Sequence, residues 1–343
     1  MAKNIVMSFD GTWNVPDMNL EDGDTNTNVY RLHDAVVASE TPWGTIKRYY
    51  SGVGTDGGHW YLVAGATGLG LSDILLRAYR DLIDLWEAGD RLFVFGFSRG
   101  AYTARSLSGL LETSGLLKRE HRQRLDHAYR LYRDRRQGPR SAAAERFAKR
   151  YSVVAQVHLL GVWDTVGSLG IPLNSFGAFN RRHFEFHDTR LSHRVTHACQ
   201  ALAVDEHRKA FAPTLWSPAS PAAGSLEQAW FPGAHSNVGG GYPSRILSDV
   251  SLAWMMERAE RHGLVLAADK RPALLATHRS ADIVDSYREF LSHFYRLVSP
   301  RRYLRPIGFT PFGNESLHPS VRQRRLILRD YRPINPIHPS LDA

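Results

Sequence analysis

The fold of this chain is decided by the stretch RLFVFGFSRGAYTARSL, which occupies residues 91–107. Its apolar run predicts a buried strand over residues 91–97, and the residues after Gly100 predict a helix. Between them lies a G-x-S-x-G pattern centred on Ser98, which is typical of a strained strand-to-helix turn that projects a serine hydroxyl from the edge of a sheet. Since short patterns also recur by chance, the hypothesis that Ser98 is a nucleophile depends on finding its partners.

The composition indicates an ordinary globular protein, with 343 residues of which 43% are hydrophobic and 22% are charged. The N-terminal apolar run is too short for a signal peptide, and no window approaches the roughly eighteen apolar residues of a membrane span. We therefore expect a cytoplasmic protein, which is compatible with delivery by a secretion system that reads no signal peptide. The single cysteine, Cys199, excludes an internal disulfide and is expected to be a small buried residue.

The formal net charge is +9, from 43 basic and 34 acidic side chains, which favours anionic partners. Much of the basic excess lies in residues 118–150, here called the basic segment, whose pattern predicts polar helices. A solvated helical insert is the simplest interpretation of this segment. A cap or lid over an active site that contacts anionic lipid headgroups is the second, and a nucleic-acid surface is the least favoured.

Predicted strands and helices alternate along the chain, which argues for a mostly parallel central sheet with helices on both faces. Residues 51–70 are dense in glycine and are expected to form a loop at a pocket rim, whereas residues 299–343 are expected to wrap irregularly over the surface. No linker divides residues 1–343, so we predict one domain with the basic segment inserted. The predicted strands cover residues 5–9, 45–50, 91–97, 153–163 and 228–231, and the predicted helices cover residues 29–38, 71–88, 192–204 and 250–258.

Four polar residues follow predicted strands directly: Asp10, Ser98, Asp164 and His235. The carboxyl ends of parallel strands meet at one edge of a sheet, and open sheets of this kind bind ligands beyond that edge. We therefore expect these four side chains to form one site.

A serine hydroxyl is a weak nucleophile unless a base accepts its proton, and the base needs an acid that holds its tautomer. Ser98, His235 and Asp164 provide the three groups, in the chain order serine, acid, histidine that is typical of α/β hydrolases. His235 is favoured among the 16 histidines because nearby glycines indicate a tightly bent loop at a strand end. The alternative is a purely structural histidine.

Other residues compete for the roles of base and acid. His197 and His207 are weaker candidates for the base, since they lie on or just after a predicted helix. Asp249 competes with Asp164 for the acid, although capping the predicted helix 250–258 is the simpler interpretation of Asp249. We expect Asp164 to be the acid and Asp249 to have a supporting role.

An acyl-transfer intermediate also needs donors that face its developing oxyanion. The backbone N–H of Arg99, directly after the nucleophile, is the expected first donor. The second is expected from the turn at Gly11 and Thr12, which follows a neighbouring strand. Asp10 is interpreted as a brace for that turn, since its carboxylate can accept from backbone amides.

Seven motifs, in order along the chain, carry a family resemblance. They are SFDGTWN at residues 8–14, GFSRGAYTAR at 96–105, VWDTVGS at 162–168, AVDEHR at 203–208, WFPGAHSNVGGGY at 230–242, SLHPSV at 316–321 and YRP at 331–333. Together they resemble the α/β-hydrolase domain whose best-known members are type VI secretion phospholipase effectors of the first Tle class.

The resemblance implies an α/β-hydrolase fold and a serine esterase whose triad is carried onto Ser98, Asp164 and His235, with phospholipase activity as in the effectors. Those effectors are larger and carry an additional membrane-docking module, whereas this chain has the hydrolase domain and a short basic segment. The resemblance therefore implies an acyl ester substrate, with phospholipid as one candidate beside other lipid or small-molecule esters.

We predict an ester hydrolase that acts through a covalent acyl-Ser98 intermediate without a cofactor. Its expected partners are the ester substrate and, through the basic segment, anionic membranes in transient contact; nucleic acid is disfavoured and the oligomeric state is left open. One alternative is a metal-dependent phosphatase with Asp10, Asp164, Asp249 and His235 as ligands. The other is a basic binding module that keeps a hydrolase fold without turnover.

Overall fold

The computed structural model describes residues 2–11, 14, 16, 25–39, 41, 44–52, 69–134, 138, 140–167, 190–217, 224–274, 279–289, 299–311 and 313–342. The strands in these residues are β1 (Asn4–Phe9), β2 (Thr45–Tyr50), β3 (Arg91–Phe97), β4 (Leu116–Leu117), β5 (Ser152–Val153), β6 (Val157–Trp163), β7 (Val195–Ala203), β8 (Leu226–Phe231) and β9 (Glu315–Leu317). Seven of them form one parallel sheet in the order β2-β1-β3-β6-β7-β8-β9.

Both faces of the sheet are buried, which explains why its strands occur as continuous apolar runs. In β1, Ile5 and Met7 pack on one face and Val6 on the other, and in β3 Val94 and Phe95 alternate in the same way. Each fully buried side chain of this size contributes about 1.5–3 kcal/mol of hydrophobic stabilisation. The sheet is therefore the central layer, and the predicted α/β fold with a parallel sheet is confirmed.

Helices lie on both faces of this layer. The α-helices in the described residues are α1 (Asn28–Ala35), α2 (Leu69–Leu85), α3 (Arg99–Ser114), α4 (Leu125–Arg133), α5 (Ala142–Tyr151), α6 (His235–Gly239), α7 (Ser248–Arg261), α8 (Ser286–Glu289), α9 (Pro319–Ile327) and α10 (Pro339–Asp342). The helices α2 and α3 pack on the Ile5 face, and α1 and α7 pack on the Val6 face.

The basic segment lies between β4 and β5, whose antiparallel pairing joins its two ends. It contains helices α4 and α5, which pack on α3. Leu125 and Phe147 are buried against α3 and its neighbours, while Arg122 and Arg146 are exposed. The segment is thus a helical insert with a basic outer face, and its role as a lid stays a prediction.

Two predictions of local structure are wrong. Residues 192–204, predicted as a helix, contain β7 in the interior of the sheet between β6 and β8. Alanine and leucine favour a helix in isolation, but burial between two strands overrides that propensity. Residues 299–343, predicted as irregular, contain β9, which pairs in parallel with β8, and the helices α9 and α10.

Other predicted elements occur with shifted ends. The strand predicted over 153–163 divides into β5 and β6, and the helix predicted over 250–258 extends to Ser248 and Arg261. Most of the loop predicted over 51–70 lies outside the described residues. Within the described part of the chain, no helix has the length and apolarity that crossing a membrane requires.

Candidate active site

Ser98 lies at the turn between β3 and α3, where the backbone is strained. Its φ of 56° is positive for a non-glycine residue, a conformation that costs about 1–3 kcal/mol. A Cβ atom on Gly100 would lie 2.2 Å from the carbonyl oxygen of Phe9, and one on Gly96 would lie 2.6 Å from the carbonyl oxygen of Gly100. Both positions require glycine, which is the steric reason for the G-x-S-x-G pattern.

The hydroxyl of Ser98 contacts the imidazole of His235, and the other nitrogen of that ring contacts Asp164. Ser98 Oγ lies 2.8 Å from His235 Nε2, and His235 Nδ1 lies 2.6 Å from Asp164 Oδ2. Since an ionised carboxylate only accepts, Nδ1 carries the ring proton and Nε2 accepts from the Ser98 hydroxyl. The structure therefore brings together the three residues that the sequence predicts, in the tautomer that a base needs.

Two aromatic rings pack against the buried imidazole of His235. The ring of Phe97 lies 4.6 Å from it between centroids, and the ring of Phe211 lies 5.0 Å away in an edge-on arrangement. Burial lowers the pKa of His235, and the hydrogen bond and charge of Asp164 only partly offset this. The ring is therefore neutral near pH 7, as a general base must be.

Asp164 is fully buried and accepts hydrogen bonds on both carboxylate oxygens. Oδ1 accepts from the backbone N–H of Ala203 at 3.0 Å and from Arg305 Nη1 at 2.6 Å. Oδ2 accepts from His235 and from Arg305 Nη2 at 3.0 Å. Burial opposes ionisation, but the Arg305 guanidinium and the His235 hydrogen bond outweigh it and hold the pKa of Asp164 well below its usual range.

A second buried carboxylate, Glu206, holds the backbone of His235. Glu206 Oε2 accepts from the His235 N–H at 3.2 Å and from the Ser286 hydroxyl at 2.8 Å. Arg208 donates to both Glu206 oxygens at 2.8 Å. Burial opposes ionisation of Glu206, but the hydrogen bond and charge of Arg208 outweigh it and lower the pKa to about 2.

Asp205 fixes the loop that delivers His235. Its Oδ2 accepts from the Gly233 N–H at 2.7 Å and from the Tyr331 hydroxyl at 2.9 Å. Gly233 has a φ of 118°, a conformation that glycine adopts without strain. The AVDEHR and YRP motifs therefore lie around the histidine loop.

Asp10 braces the turn beside Ser98, as its simpler interpretation predicts. Its carboxylate accepts from the Thr27 hydroxyl at 2.7 Å, the Tyr49 hydroxyl at 2.5 Å and the Gly11 N–H at 2.6 Å. The Gly11 amide is thus engaged by Asp10, and the structure does not direct it to an oxyanion at Ser98, as the sequence analysis expected. Thr12, the other expected donor, lies outside the described residues.

The N-terminus of α1 connects this turn to the histidine helix. Thr27 caps α1, donates to Asp10 and forms an antiparallel bridge with Gly240. Asn28 Nδ2 donates at 2.9 Å to the carbonyl oxygen of Val238, in α6. Thr27 and Asn28, which are neighbours in the chain, therefore connect the turn after β1 to α6, the helix that carries His235.

Among the described residues, the hydrogen bonds and ion pairs of the competing candidates go to groups other than the triad. His207 Nδ1 lies 3.2 Å from the backbone carbonyl oxygen of Tyr303. His197 lies near the start of β7, at the opposite edge of the sheet. Asp249 lies in the first turn of α7 and pairs with Arg31 at 2.6 Å. Asp164 is the carboxylate that accepts from the imidazole ring of His235, and Asp249 joins α7 to α1 through its pair with Arg31.

Sequence reasoning missed Arg305 and the role of Glu206. Glu206 lies in a motif that the family resemblance used, so a search for polar residues after β7 could have found it. Arg305 lies 141 residues from Asp164 in a basic stretch, RRYLRP, in which nothing distinguishes it from its neighbours. No sequence signal points to it.

A parallel sheet covered by helices, with a serine on a strained turn between strand and helix, defines the α/β-hydrolase class of fold. Within this class the chain belongs to the family described as T6SS phospholipase effector Tle1-like, catalytic domain, whose model matches residues 3–258. The resemblance drawn from the sequence motifs is thereby confirmed. The matched residues include Ser98, Asp164 and His235 and end before Arg305.

Three individual proteins are also similar to parts of this chain. The uncharacterized protein YEL023C of Saccharomyces cerevisiae is 28% identical over 240 residues, which are 63% of this chain and 33% of that protein. The crystal structure of an uncharacterized protein from Pseudomonas aeruginosa has a TM-score of 0.48 and 19% identity, covering 82% of this chain and 49% of that one. The structure of the Tle1 effector bound to the VgrG spike from the type 6 secretion system has a TM-score of 0.42 and 20% identity. The match covers 70% of this chain and 51% of that chain. The chain thus spans about a third of the yeast protein and about half of each solved chain.

Proposed function

We propose that this protein is a serine hydrolase that cleaves an acyl ester of a lipid through a covalent acyl-Ser98 intermediate. The observation that carries the proposal is the continuous contact from Ser98 to His235 to Asp164 at a strained turn. Membership of a family described by its phospholipase effectors supports a lipid ester as the substrate class.

In the proposed reaction, His235 Nε2 accepts the Ser98 proton as Oγ bonds to the ester carbonyl carbon, and ionised Asp164 stabilises the imidazolium. His235 then gives this proton to the leaving alcohol oxygen as the C–O bond breaks, which leaves acyl-Ser98. In the second half, His235 accepts a proton from water as the water oxygen attacks the acyl carbon. The proton returns to Ser98 Oγ as the carboxylic acid leaves.

The tetrahedral intermediates need donors for the charged carbonyl oxygen. We assign one to the N–H of Arg99, which begins α3, where the helix dipole also favours negative charge. The turn at Gly11 and Thr12 stays the predicted source of the second donor; Asp10 engages the Gly11 amide, and Thr12 lies outside the described residues.

The basic segment supports the proposal that the protein binds its substrate at an anionic lipid surface. Its helices pack on α3, the helix that begins at the nucleophile, and present exposed basic side chains. Each such charge near an anionic membrane contributes about 1 kcal/mol of attraction. We include delivery by a type VI secretion system in the proposal because the family is described by its likeness to an effector of that system. The exposed basic residues are Lys118, Arg119, Arg122, Arg130, Arg140, Arg146, Lys149 and Arg150.

The test combines labelling of the serine with a hydrolysis screen. A fluorophosphonate probe should label wild type once and Ser98→Ala not at all, and kcat/KM should fall on the order of 10⁴-fold or more in the variant. The screen compares anionic phospholipid vesicles, neutral phospholipid vesicles, a soluble carboxylic ester and a thioester. Preference for anionic vesicles supports the lipid proposal, whereas turnover of soluble esters alone would contradict it.

Ser192→Ala is the matched control, because Ser192 is also buried but its hydroxyl donates to the carbonyl oxygen of Ser108, ten residues along the chain from Ser98. It should be labelled and should turn over substrate as wild type does. Persistent labelling of a folded Ser98→Ala variant would overturn the assignment of the nucleophile.

The two alternatives predict different outcomes of the same experiment. For a metal-dependent phosphatase, Asp10, Asp249 and Asp164 would have to converge, but each is engaged by different protein groups. Within the described residues, no three histidine, cysteine or carboxylate side chains gather as a metal site would require. Activity that a chelator abolishes and Ser98→Ala preserves would favour the phosphatase. Salt-sensitive binding without probe labelling would favour the binding module.

A further inference from the structure

We propose that Arg305 is a positioning residue of this site, which fixes the carboxylate of Asp164 and balances its charge, and thereby sets the pH range over which His235 acts as a base. The inference rests on the proposed function, because it concerns the same serine, histidine and aspartate. It goes beyond that function by adding a residue that lies outside the part of the chain that the family model matches.

The contact between Arg305 and Asp164 has the geometry of a bidentate pair. Nη1 lies 2.6 Å from Oδ1 and Nη2 lies 3.0 Å from Oδ2, and both side chains are 0% exposed. A planar guanidinium that binds both oxygens of a carboxylate leaves it little freedom to rotate. With Ala203 bound to Oδ1, the lone pair of Oδ2 that faces His235 is held in place.

Second hydrogen bonds from Nη1 and Nη2 of Arg305 hold the surroundings of the histidine, while Nε has no partner among the described residues. Nη1 also donates to the carbonyl oxygen of Ala203 at 2.8 Å, and Nη2 donates to that of Phe211 at 2.6 Å. The Phe211 ring packs edge-on against His235. The Arg305 guanidinium therefore holds both the carboxylate of Asp164 and the backbone of Phe211, whose ring packs on His235.

The fold carries Arg305 into the interior from the C-terminal part of the chain. Asn335 Nδ2 donates to the Arg305 carbonyl oxygen at 3.1 Å, and Ile307 forms a parallel bridge with Ile337. Ile307 is fully buried in a cluster that includes Trp230, a residue of β8. The segment is thus anchored on the sheet, so the position of Arg305 does not depend on its pair with Asp164 alone.

The charges around His235 come in two pairs. Asp164 contacts the ring and Glu206 contacts the backbone N–H, and each carboxylate is paired with its own guanidinium, Arg305 and Arg208 respectively. With both pairs intact, the carboxylates and guanidiniums nearly cancel. Removal of the Arg305 charge leaves one net negative charge beside the imidazole, so the Asp164–His235 pair retains its proton to higher pH.

The other groups packed on the histidine do not titrate across this range. Phe97 and Phe211 are apolar, and the Ser98 hydroxyl is neutral. Burial raises the pKa of the Tyr242 phenol, which lies near Glu206 and Arg208, so this group stays uncharged. Two carboxyl groups whose pKa burial raises lie in the neighbouring turns, Asp205 at Gly233 and Asp10 at Gly11. Both are present in every variant, so the difference between the pH profiles of wild type and an Arg305 variant reports the charges paired around the histidine.

The experiment measures kcat/KM against pH for wild type, Arg305→Gln and Arg305→Lys. For Arg305→Gln we expect the acid limb to move to higher pH by about one unit or more. At the plateau we expect kcat/KM to fall by about 10–100-fold, because the carboxylate is no longer held. Arg305→Lys keeps the positive charge but loses the planar guanidinium that binds both carboxylate oxygens. Its plateau value of kcat/KM should therefore fall, while the midpoint of the acid limb stays within about 0.3 pH unit of wild type.

Arg258→Gln is the matched control. Arg258 also donates two hydrogen bonds to one carboxylate, that of Glu227 at the start of β8, where no contact with His235 exists among the described residues. Its substitution should leave both the plateau and the acid limb unchanged. A limb that moves equally in Arg258→Gln and Arg305→Gln would show a general loss of stability and overturn the inference.

Two further outcomes separate this inference from the proposed function. If wild type is not labelled at Ser98, the proposed function fails; if it is labelled and Arg305→Gln folds with an unmoved limb, only the role of Arg305 fails. Should Arg305→Gln not fold, Arg305→Lys decides. A folded Arg305→Lys variant with the plateau of wild type would refute the inference, because it would show that the paired hydrogen bonds of the guanidinium are not needed to hold Asp164.

Discussion

The carboxyl edge and the amino edge of the central sheet carry the same types of side chain with opposite consequences. At the carboxyl edge, Ser98 Oγ lies 2.8 Å from His235 Nε2. At the amino edge, Ser225 Oγ lies 2.9 Å from His197 Nδ1, near the start of β7. The two serine–histidine contacts have nearly the same length, so distance does not distinguish a candidate active site from a surface contact.

Burial and completion of the hydrogen-bond chain make the difference. His235 is buried and donates to Asp164, whereas in the described residues no carboxylate accepts a hydrogen bond from the His197 ring. His197 instead stacks on His262 with ring centroids 3.8 Å apart. Ser98 has a strained backbone that presents its hydroxyl, while Ser225 is exposed, directly precedes β8 and has no positive φ.

The ion pairs at the two edges differ in the same way. The side chains of Arg305 and Asp164 are both 0% exposed, whereas Arg258 and Glu227 are 12% and 35% exposed. An exposed pair contributes about 0–1 kcal/mol, but desolvating a buried pair costs several kcal/mol unless its hydrogen bonds are complete. The Arg305–Asp164 pair offsets this cost with four hydrogen bonds from Nη1 and Nη2, although Arg305 Nε has no partner among the described residues. The more exposed Arg258–Glu227 pair has a smaller desolvation cost to offset.

The largest expected effect separates the two histidines. His235→Gln removes the base, so kcat/KM should fall on the order of 10⁴-fold and labelling of Ser98 should slow in proportion. His197→Gln should change kcat/KM by less than about twofold, because its ring lies at the opposite edge. Ester-hydrolysis and labelling rates of both variants check this, and similar losses in the two would abolish the distinction between the edges.

The second effect concerns stability at the carboxyl edge. Burial raises the pKa of Asp10 to about 6, although hydrogen bonds from Tyr49, Thr27 and Gly11 oppose the rise. A carboxyl group with a higher pKa in the folded chain than in the unfolded chain binds more protons when folded. Its contribution to the free energy of unfolding therefore falls as the pH rises from about 4 to about 6.

Asp10→Asn removes this titration. The difference in free energy of unfolding, wild type minus variant, should fall by about 2–3 kcal/mol between about pH 4 and about pH 7. Urea denaturation at several pH values measures it, with the other titrating groups cancelling in the difference. A difference that stays constant with pH would mean that the Asp10 carboxylate has no unusual cost of ionisation.

The residues that sequence reasoning found are those whose local backbone demands a particular residue type. Ser98 is marked by Gly96 and Gly100, two positions at which an added Cβ atom would collide with backbone oxygens. Asp164 and His235 follow strands in a known order, so the edge of the sheet could be assembled from the sequence.

The parts that sequence reasoning missed depend on contacts between distant residues. Nothing local identifies Arg305, because its role arises only where the C-terminal segment is anchored beside β8. The composition of β7 favours a helix, and its burial inside the sheet decides otherwise. The glycine turn after β1 predicts the Gly11 amide as an oxyanion donor, but the hydrogen bond that this amide donates to Asp10 becomes visible only in the folded chain.

The smallest expected effect lies at the amino edge, where His262 follows the end of α7. Burial and the positive charges of His197, His158 and Arg261 lower the pKa of His262 to about 4. A histidine whose pKa is lower in the folded chain binds fewer protons there, so the folded state loses stability as the pH falls below about 6.5.

His262→Gln should therefore raise the melting temperature relative to wild type near pH 5 and leave it unchanged near pH 8. Because the ring is partly exposed and solvent screens its neighbours, we expect a rise of only about 1–2 °C, which differential scanning calorimetry resolves. The plateau of kcat/KM should not change, since the charges that govern His235 lie at the other edge. A variant whose acid limb moved together with its melting temperature would couple the two edges electrostatically, and the protonation of His235 could then no longer be assigned to Asp164, Glu206 and their two arginines alone.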